Sequence, residues 1–150
     1  MPNRSAGILL HRRRISSTEV FLIHPGGPFW KNKDAGAWSI PKGIVGPEED
    51  ALIAARREFK EETGFEVDGT FKLLGTFRQP GGKLVTAYAV EGDCDAAALV
   101  SNTFSMEWPP RSGKLQFFPE ADRGAWFDRT EAEMKILKGQ RAILDKLDQH

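Results

Sequence analysis

The segment that most constrains this chain is Gly43–Phe65, GIVGPEEDALIAARREFKEETGF. A glycine-bounded loop, Gly43–Gly46, leads into Pro47-Glu48-Glu49-Asp50, and an apolar-periodic run then ends at Thr63-Gly64. A proline followed by three acids suits the first turn of a helix, where a missing N–H costs nothing and the dipole favours negative charge. Gly64 suits the left-handed position just past the helix end. Between these caps Leu52, Ala55 and Phe59 fall on one side at helical spacing and are expected to face a core. Glu58, Glu61 and Glu62 stand at i, i+3 and i+4 and share a neighbouring stripe.

Like charges at that spacing destabilise an isolated helix. One reading is a cation held between them, and hard oxygen donors without a nearby histidine or cysteine suit Mg2+ or Mn2+ rather than zinc. The other is a solvated acidic face beside Arg56, Arg57 and Lys60. The flanking residues shift the balance toward the cation. Gly43, Glu49 and the run Arg57-Glu58-Phe59-Lys60-Glu61-Glu62-Thr63-Gly64-Phe65 match, at every position, the box of the Nudix hydrolases, which this segment resembles. At roughly 6–7% usage per fixed position a chance match is on the order of one in a million, so the resemblance is specific. The box covers Gly43–Phe65 only, and the surrounding strand order is also similar to that family.

The resemblance implies an α/β fold, the α/β/α sandwich with a mixed β-sheet, the box helix and a C-terminal helix. It implies Mg2+ (or Mn2+) as cofactor, with Glu58, Glu61, Glu62 and the Gly43 carbonyl as its ligands. Glu61, Glu62 and Arg57 are the implied catalytic set, Arg57 orienting the glutamates by ion pairing. Glu49 is either structural or a remote metal contact. Family enzymes often recruit a further carboxylate from outside the box. Glu107, Glu120 and Asp122 are the candidates, and Glu107 is preferred because it precedes the stiff Trp108-Pro109-Pro110.

The implied reaction is hydrolysis of a phosphoanhydride in a nucleoside diphosphate linked to another moiety, with a nucleoside triphosphate or dinucleoside polyphosphate favoured. Lys42 is a candidate for substrate phosphate, since Trp38-Ser39-Ile40-Pro41-Lys42-Gly43 looks like the Leu-Pro-Lys-Gly segment of diadenosine polyphosphate hydrolases. Trp30, in the aromatic and basic run Phe29-Trp30-Lys31, either stacks on a base or packs back onto the domain. Arg78 either reaches a ligand or is an exposed hairpin-end charge. Ser101–Gly113 and His24–Trp30 resemble a bacterial branch of predicted NTP pyrophosphohydrolases. Three other readings stay open: a non-catalytic nucleotide-binding or sensor domain, an isoprenoid diphosphate isomerase, and an RNA-decapping enzyme.

Lys+Arg and Asp+Glu both number 21, so no global field draws the chain to nucleic acid or a membrane. The expected partner is a small nucleotide, in a monomer or homodimer. Cys94 is the single cysteine, which excludes an internal disulfide and, with no apolar run long enough for a leader or a span, suits the cytoplasm. The 150 residues are expected to form one domain.

The remaining chain reads as short strands. Ala6–His11, apolar enough to be covered on both faces, and Val20–His24 flank a polar segment whose Arg12-Arg13-Arg14 is placed in a turn. Trp38–Ile40 is read as a strand before the box. Phe71–Gln79 and Lys83–Glu91 are joined at Pro80-Gly81-Gly82 in a type II turn. Further strands are expected at Asn102–Trp108, Gln116–Phe118 and Ala125–Phe127. A final helix is expected from Thr130, capped reciprocally by Glu133, with Met134, Leu137, Arg141, Leu144 and Leu147 inward and Gly139 a weak point.

Overall fold

The computed structural model describes residues 4–149. Its framework is a mixed sheet. The central strand β1 (Arg4–Arg14) pairs antiparallel with β2 (Ser17–Pro25) and parallel with β5 (Leu84–Glu91). Beyond them lie β4 (Lys72–Arg78), on β5, and β8 (Ala121–Asp128), on β2, both antiparallel. The short β3 (Lys42–Ile44) lies along the start of β1, pairing Gly43 with Ala6. A separate hairpin, β6 (Thr103–Glu107) and β7 (Leu115–Pro119), stands off the main sheet.

Strand alternation sorts the core into two layers. Ala6, Ile8 and Leu10 of β1 pack with Phe21 beneath α1 (Ala51–Thr63), through its Ala54, Ala55 and Phe59. Leu9, Leu22, Leu74 and Val85 point the other way, against Ile136, Ile143 and Leu144. Both faces of β1 are thus covered, as its unbroken apolar run predicts. Among the described residues no helix is long and apolar enough to cross a membrane.

Several expectations shift by a turn or less. The box helix begins at Ala51, not at Pro47: the Asp50 carboxylate accepts from Leu52 N (3.0 Å) and Ile53 N (3.2 Å) and closes the helix there. Leu52 is consequently only half-buried, and Ala54 takes the inward place. Gly64 does end the helix at φ 81°, its N–H reaching Lys60 O. Arg12–Arg14 is the end of β1 rather than a turn, and Arg12 pairs with Glu19 (2.8 Å) and Asp93 (2.7 Å). Trp38–Ile40 makes only isolated bridges, Ser39 to Ile23 and Trp38 to Ile136. The type II turn holds: Gly81 sits at φ 87°, and Gly82 N donates to Gln79 O (3.0 Å).

The last helix departs most. Asp128, not Thr130, caps α2 (Arg129–Lys135), its Oδ1 accepting from Glu131 N (2.8 Å). The chain then breaks at Ile136–Leu137, because Leu137 N donates to Trp38 O (2.7 Å), and resumes as α3 (Arg141–Asp148). Ala132, Ile136, Ile143 and Leu144 face inward, whereas Met134 and Arg141 are exposed.

Candidate active site

The site is assembled where β3 passes beside α1. Gly43 has an ordinary strand backbone, and its need for glycine is steric: a Cβ there would stand 2.0 Å from Glu58 Cδ. The missing side chain is the space the Glu58 carboxylate occupies. One residue earlier, Lys42 N donates to Glu62 Oε1 (3.0 Å), so the same strand grips a second glutamate.

Arg57 gathers the remaining acids. Its Nε and Nη2 form a fork on Glu49 (2.9 and 3.0 Å), while Nη1 reaches Glu58 (2.8 Å) and Glu61 (3.2 Å). Nη2 also donates to Ile44 O (3.1 Å), tying the fork to β3. Glu49 in turn accepts from Gly46 N (2.9 Å). The Arg57 hydrogen bonds, helped by that amide, hold the Glu49 carboxyl down at about 2. Glu49 is therefore a structural anchor of the box loop.

Glu62 lies in a cleft of about 480 Å3, with Lys42, Gly43 and Glu58 on its floor and Trp30, Phe104 and Glu120 around it. Burial pushes the Glu62 carboxyl up to about 8, against the pull of the Lys42 N–H, and repulsion from Glu120 and Glu58 adds to the rise. Glu58 and Glu120 are raised for the same first reason, burial, with neighbouring carboxylates contributing. Burial also lowers the Lys42 ammonium. Burial pushes the Cys94 thiol up to about 11.

The structure distinguishes among the acids weighed outside the box. Glu107 faces its own turn, its two oxygens accepting from Arg111 N (3.0 Å) and Gly113 N (3.1 Å). Asp122 bonds the ring of His24 (2.9 Å). Glu120 is the one that lines the cleft. Asn102 carries it there, donating from its N to Glu61 O (2.7 Å) and accepting at its O from Glu120 N (2.8 Å); Glu120 O then accepts from Gly26 N (3.0 Å). Preference for Glu107 rested on the stiff sequence after it, which shapes a turn and not the cleft. Phe104 is the cleft residue that pattern reading passed over, as one more apolar residue of an alternating strand. Arg78 is exposed at the end of β4 and is absent from the cleft wall.

A clean test separates the two outlying acids. Glu120→Gln is expected to lower turnover by about 100-fold, the scale of a lost charge-stabilising group. Glu107→Gln is expected to keep turnover and lose only about 1 kcal/mol of stability through its turn. Steady-state rates and urea melts of both variants read this directly, and equal rates would remove Glu120 from the site.

The donor chemistry fits a hard divalent cation: the carboxylate oxygens of Glu58, Glu62 and Glu120 line one cleft. Among the described residues no three such side chains converge tightly enough to enclose an ion as they stand. Glu58 and Glu61 are turned toward Arg57, and coordinating would require them to exchange that partner for the ion.

Comparison with known proteins places the chain in a family and a fold. The NUDIX domain profile matches residues 1–147. An RNA pyrophosphohydrolase of Caulobacter vibrioides is 37% identical over 70 residues, 43% of this chain and 39% of that protein. The chain thus matches well under half the length of that curated relative. Among solved structures, a C. elegans Ap4A hydrolase binary complex superposes with a TM-score of 0.66 at 22% identity, covering 97% of this chain and 96% of that one. The NUDIX domain of Shewanella oneidensis NrtR, complexed with ADP ribose, gives 0.69 at 14% identity over 99% and 88%. These structural likenesses speak for the fold. With the profile spanning nearly the whole chain and the box folded around Gly43, Arg57 and Glu62, this protein belongs to the Nudix hydrolase family.

Proposed function

We propose that this chain is a divalent-cation-dependent pyrophosphohydrolase. Its substrate is a nucleoside diphosphate linked to another moiety, with nucleoside triphosphates and dinucleoside polyphosphates favoured. The observation that carries the reading is Glu62, held by the Lys42 N–H and facing Glu120 across a cleft floored by Gly43 and Glu58. A binding-only domain has no need of such mutually repelling carboxylates.

Bound Mg2+ or Mn2+ would neutralise phosphate charge and acidify a water. The chain's own residues do the rest. Glu58 and Glu61, with the Gly43 carbonyl, would hold the cation once the two carboxylates give up Arg57. Glu62 and Glu120 face the cleft and can complete that set or take the proton of the attacking water. Lys42 supplies a compact positive charge beside the anhydride. Trp30 and Phe104 line the cleft and offer aromatic faces to a base. Arg57 keeps the acids in register without meeting the substrate.

The test is a panel of nucleotides, dinucleoside polyphosphates, nucleotide sugars and a 5′-triphosphorylated RNA, each with Mg2+ and with Mn2+, products identified by mass. Cleavage at an anhydride is expected. Inertness toward the whole panel would end the hydrolase reading.

A second measurement needs no substrate. Glu62 sits at about 8 in the fold against an unfolded reference of 4.5. Between those values the native chain holds a proton that the unfolded chain has shed, so stability falls as pH rises across that window. A cation that replaces the proton relieves the penalty, so Mg2+ is expected to stabilise more at pH 8 than at pH 6. At tenfold excess over Kd the gain is about 1.4 kcal/mol, a rise of about 3–6 °C for a chain of this size. Melts that ignore chelator at both pH values would argue against the site.

A further inference from the structure

His24 is fully buried and takes no part in the chemistry above. Its Nδ1 lies 2.9 Å from Asp122 Oδ1, and its Nε2 lies 2.6 Å from Lys33 O. Both ring nitrogens are thus engaged, one by a side chain and one by a backbone carbonyl, and Asp122 also has Arg123 Nη1 3.6 Å away. Exchanging ring atoms by a flip would put carbon against both acceptors, so the heavy atoms admit one orientation. Trp38 packs edge-on against the ring at 5.2 Å, with Arg123 over the indole at 5.2 Å. Trp38 in turn donates to Asp34, which pairs with Lys135.

What the ring holds is the loop bearing Trp30. Lys33 N donates back to Trp30 O (3.0 Å), closing a turn whose far carbonyl hangs on His24. The near side rests on the β6–β7 hairpin: Phe29 meets Trp108 edge-on at 5.4 Å, and a Cβ at Gly27 would stand 3.0 Å from Phe104 Cζ. Asp122 is two residues beyond Glu120. A single buried ring therefore links the Trp30 turn to the strand that delivers the cleft carboxylate.

We propose that His24 is a positioning residue, a buried ring bridging Lys33 O and Asp122 that sets Trp30 over the cleft and thereby governs capture of the substrate's base rather than its cleavage. The inference rests on the pyrophosphohydrolase reading of the cleft, and part of its test needs no turnover.

His24→Asn is expected to raise KM about tenfold, within the range of one stacked base, with kcat changed less than about threefold. Asp122→Ala, at a partly exposed position, removes the ring's side-chain partner and carries the same test should the buried change unfold the chain. Amide exchange in these variants is expected to quicken about tenfold in residues 27–33 and little elsewhere. On a Trp30→Ala background the KM effect is expected to vanish, since the anchor acts only through the indole. Unchanged KM in Asp122→Ala, additivity with Trp30→Ala, or uniformly faster exchange would each defeat it. Inertness on every substrate would sink the functional reading instead, leaving His24 to be judged by exchange in residues 27–33.

Discussion

Glu62→Gln is expected to lower turnover by about 100- to 10,000-fold, the range of a lost acid–base group, in a chain that still folds. The side chain keeps its shape, and the amide oxygen can still accept the Lys42 N–H. What disappears is a carboxylate in a cleft already crowded with Glu58 and Glu120. Because burial holds Glu62 at about 8, metal-free Glu62→Gln is expected to be more stable than its parent above pH 8 and about equal below pH 4.5. Loss of activity with a gain of alkaline stability is a signature that misfolding cannot imitate. Near-normal turnover would remove Glu62 from the chemistry.

Gly43→Ala is the second large effect, and it separates position from stability. The backbone at Gly43 is ordinary, so alanine meets no conformational penalty there. Its methyl would nonetheless occupy the place of the Glu58 carboxyl, 2.0 Å from Cδ. The end of a flexible side chain can swing away, so the fold is expected to lose less than about 1 kcal/mol. Glu58 then leaves both Arg57 and the cleft floor, and activity is expected to fall by about 100-fold or more, as for other displaced catalytic groups. A urea melt beside a rate measurement resolves the two. Retained activity would show that Glu58 works from more than one rotamer. A large stability loss would show instead that β3 itself had shifted.

The parts of this protein legible in its sequence are those made by neighbours along the chain. The helix followed from apolar period and from Gly64, whose left-handed backbone ends it. The hairpin followed from Pro80-Gly81, where one fixed φ and one positive φ define the turn. The box spacing brought Glu58, Glu61, Glu62 and Arg57 to one helix because the period of a helix dictates it. Even here the start was misplaced by a turn: Pro47 and the acids after it suit a first turn, but the Asp50 hydrogen bonds to Leu52 and Ile53 begin the helix at Ala51.

Tertiary structure alone decided the rest. Glu120 reaches the cleft through backbone hydrogen bonds at Asn102, linking residues some sixty positions apart, and backbone groups carry no sequence label. The C-terminal helix broke because Trp38 competes for the Leu137 amide, a contact that no local pattern encodes. His24 reads as one more strand residue until Asp122 and Lys33 O are brought against its two nitrogens. Sequence determines which side chains share a turn, because helix and turn periods are local. Which of them share a cleft depends on long-range pairing, and only the folded chain makes that choice.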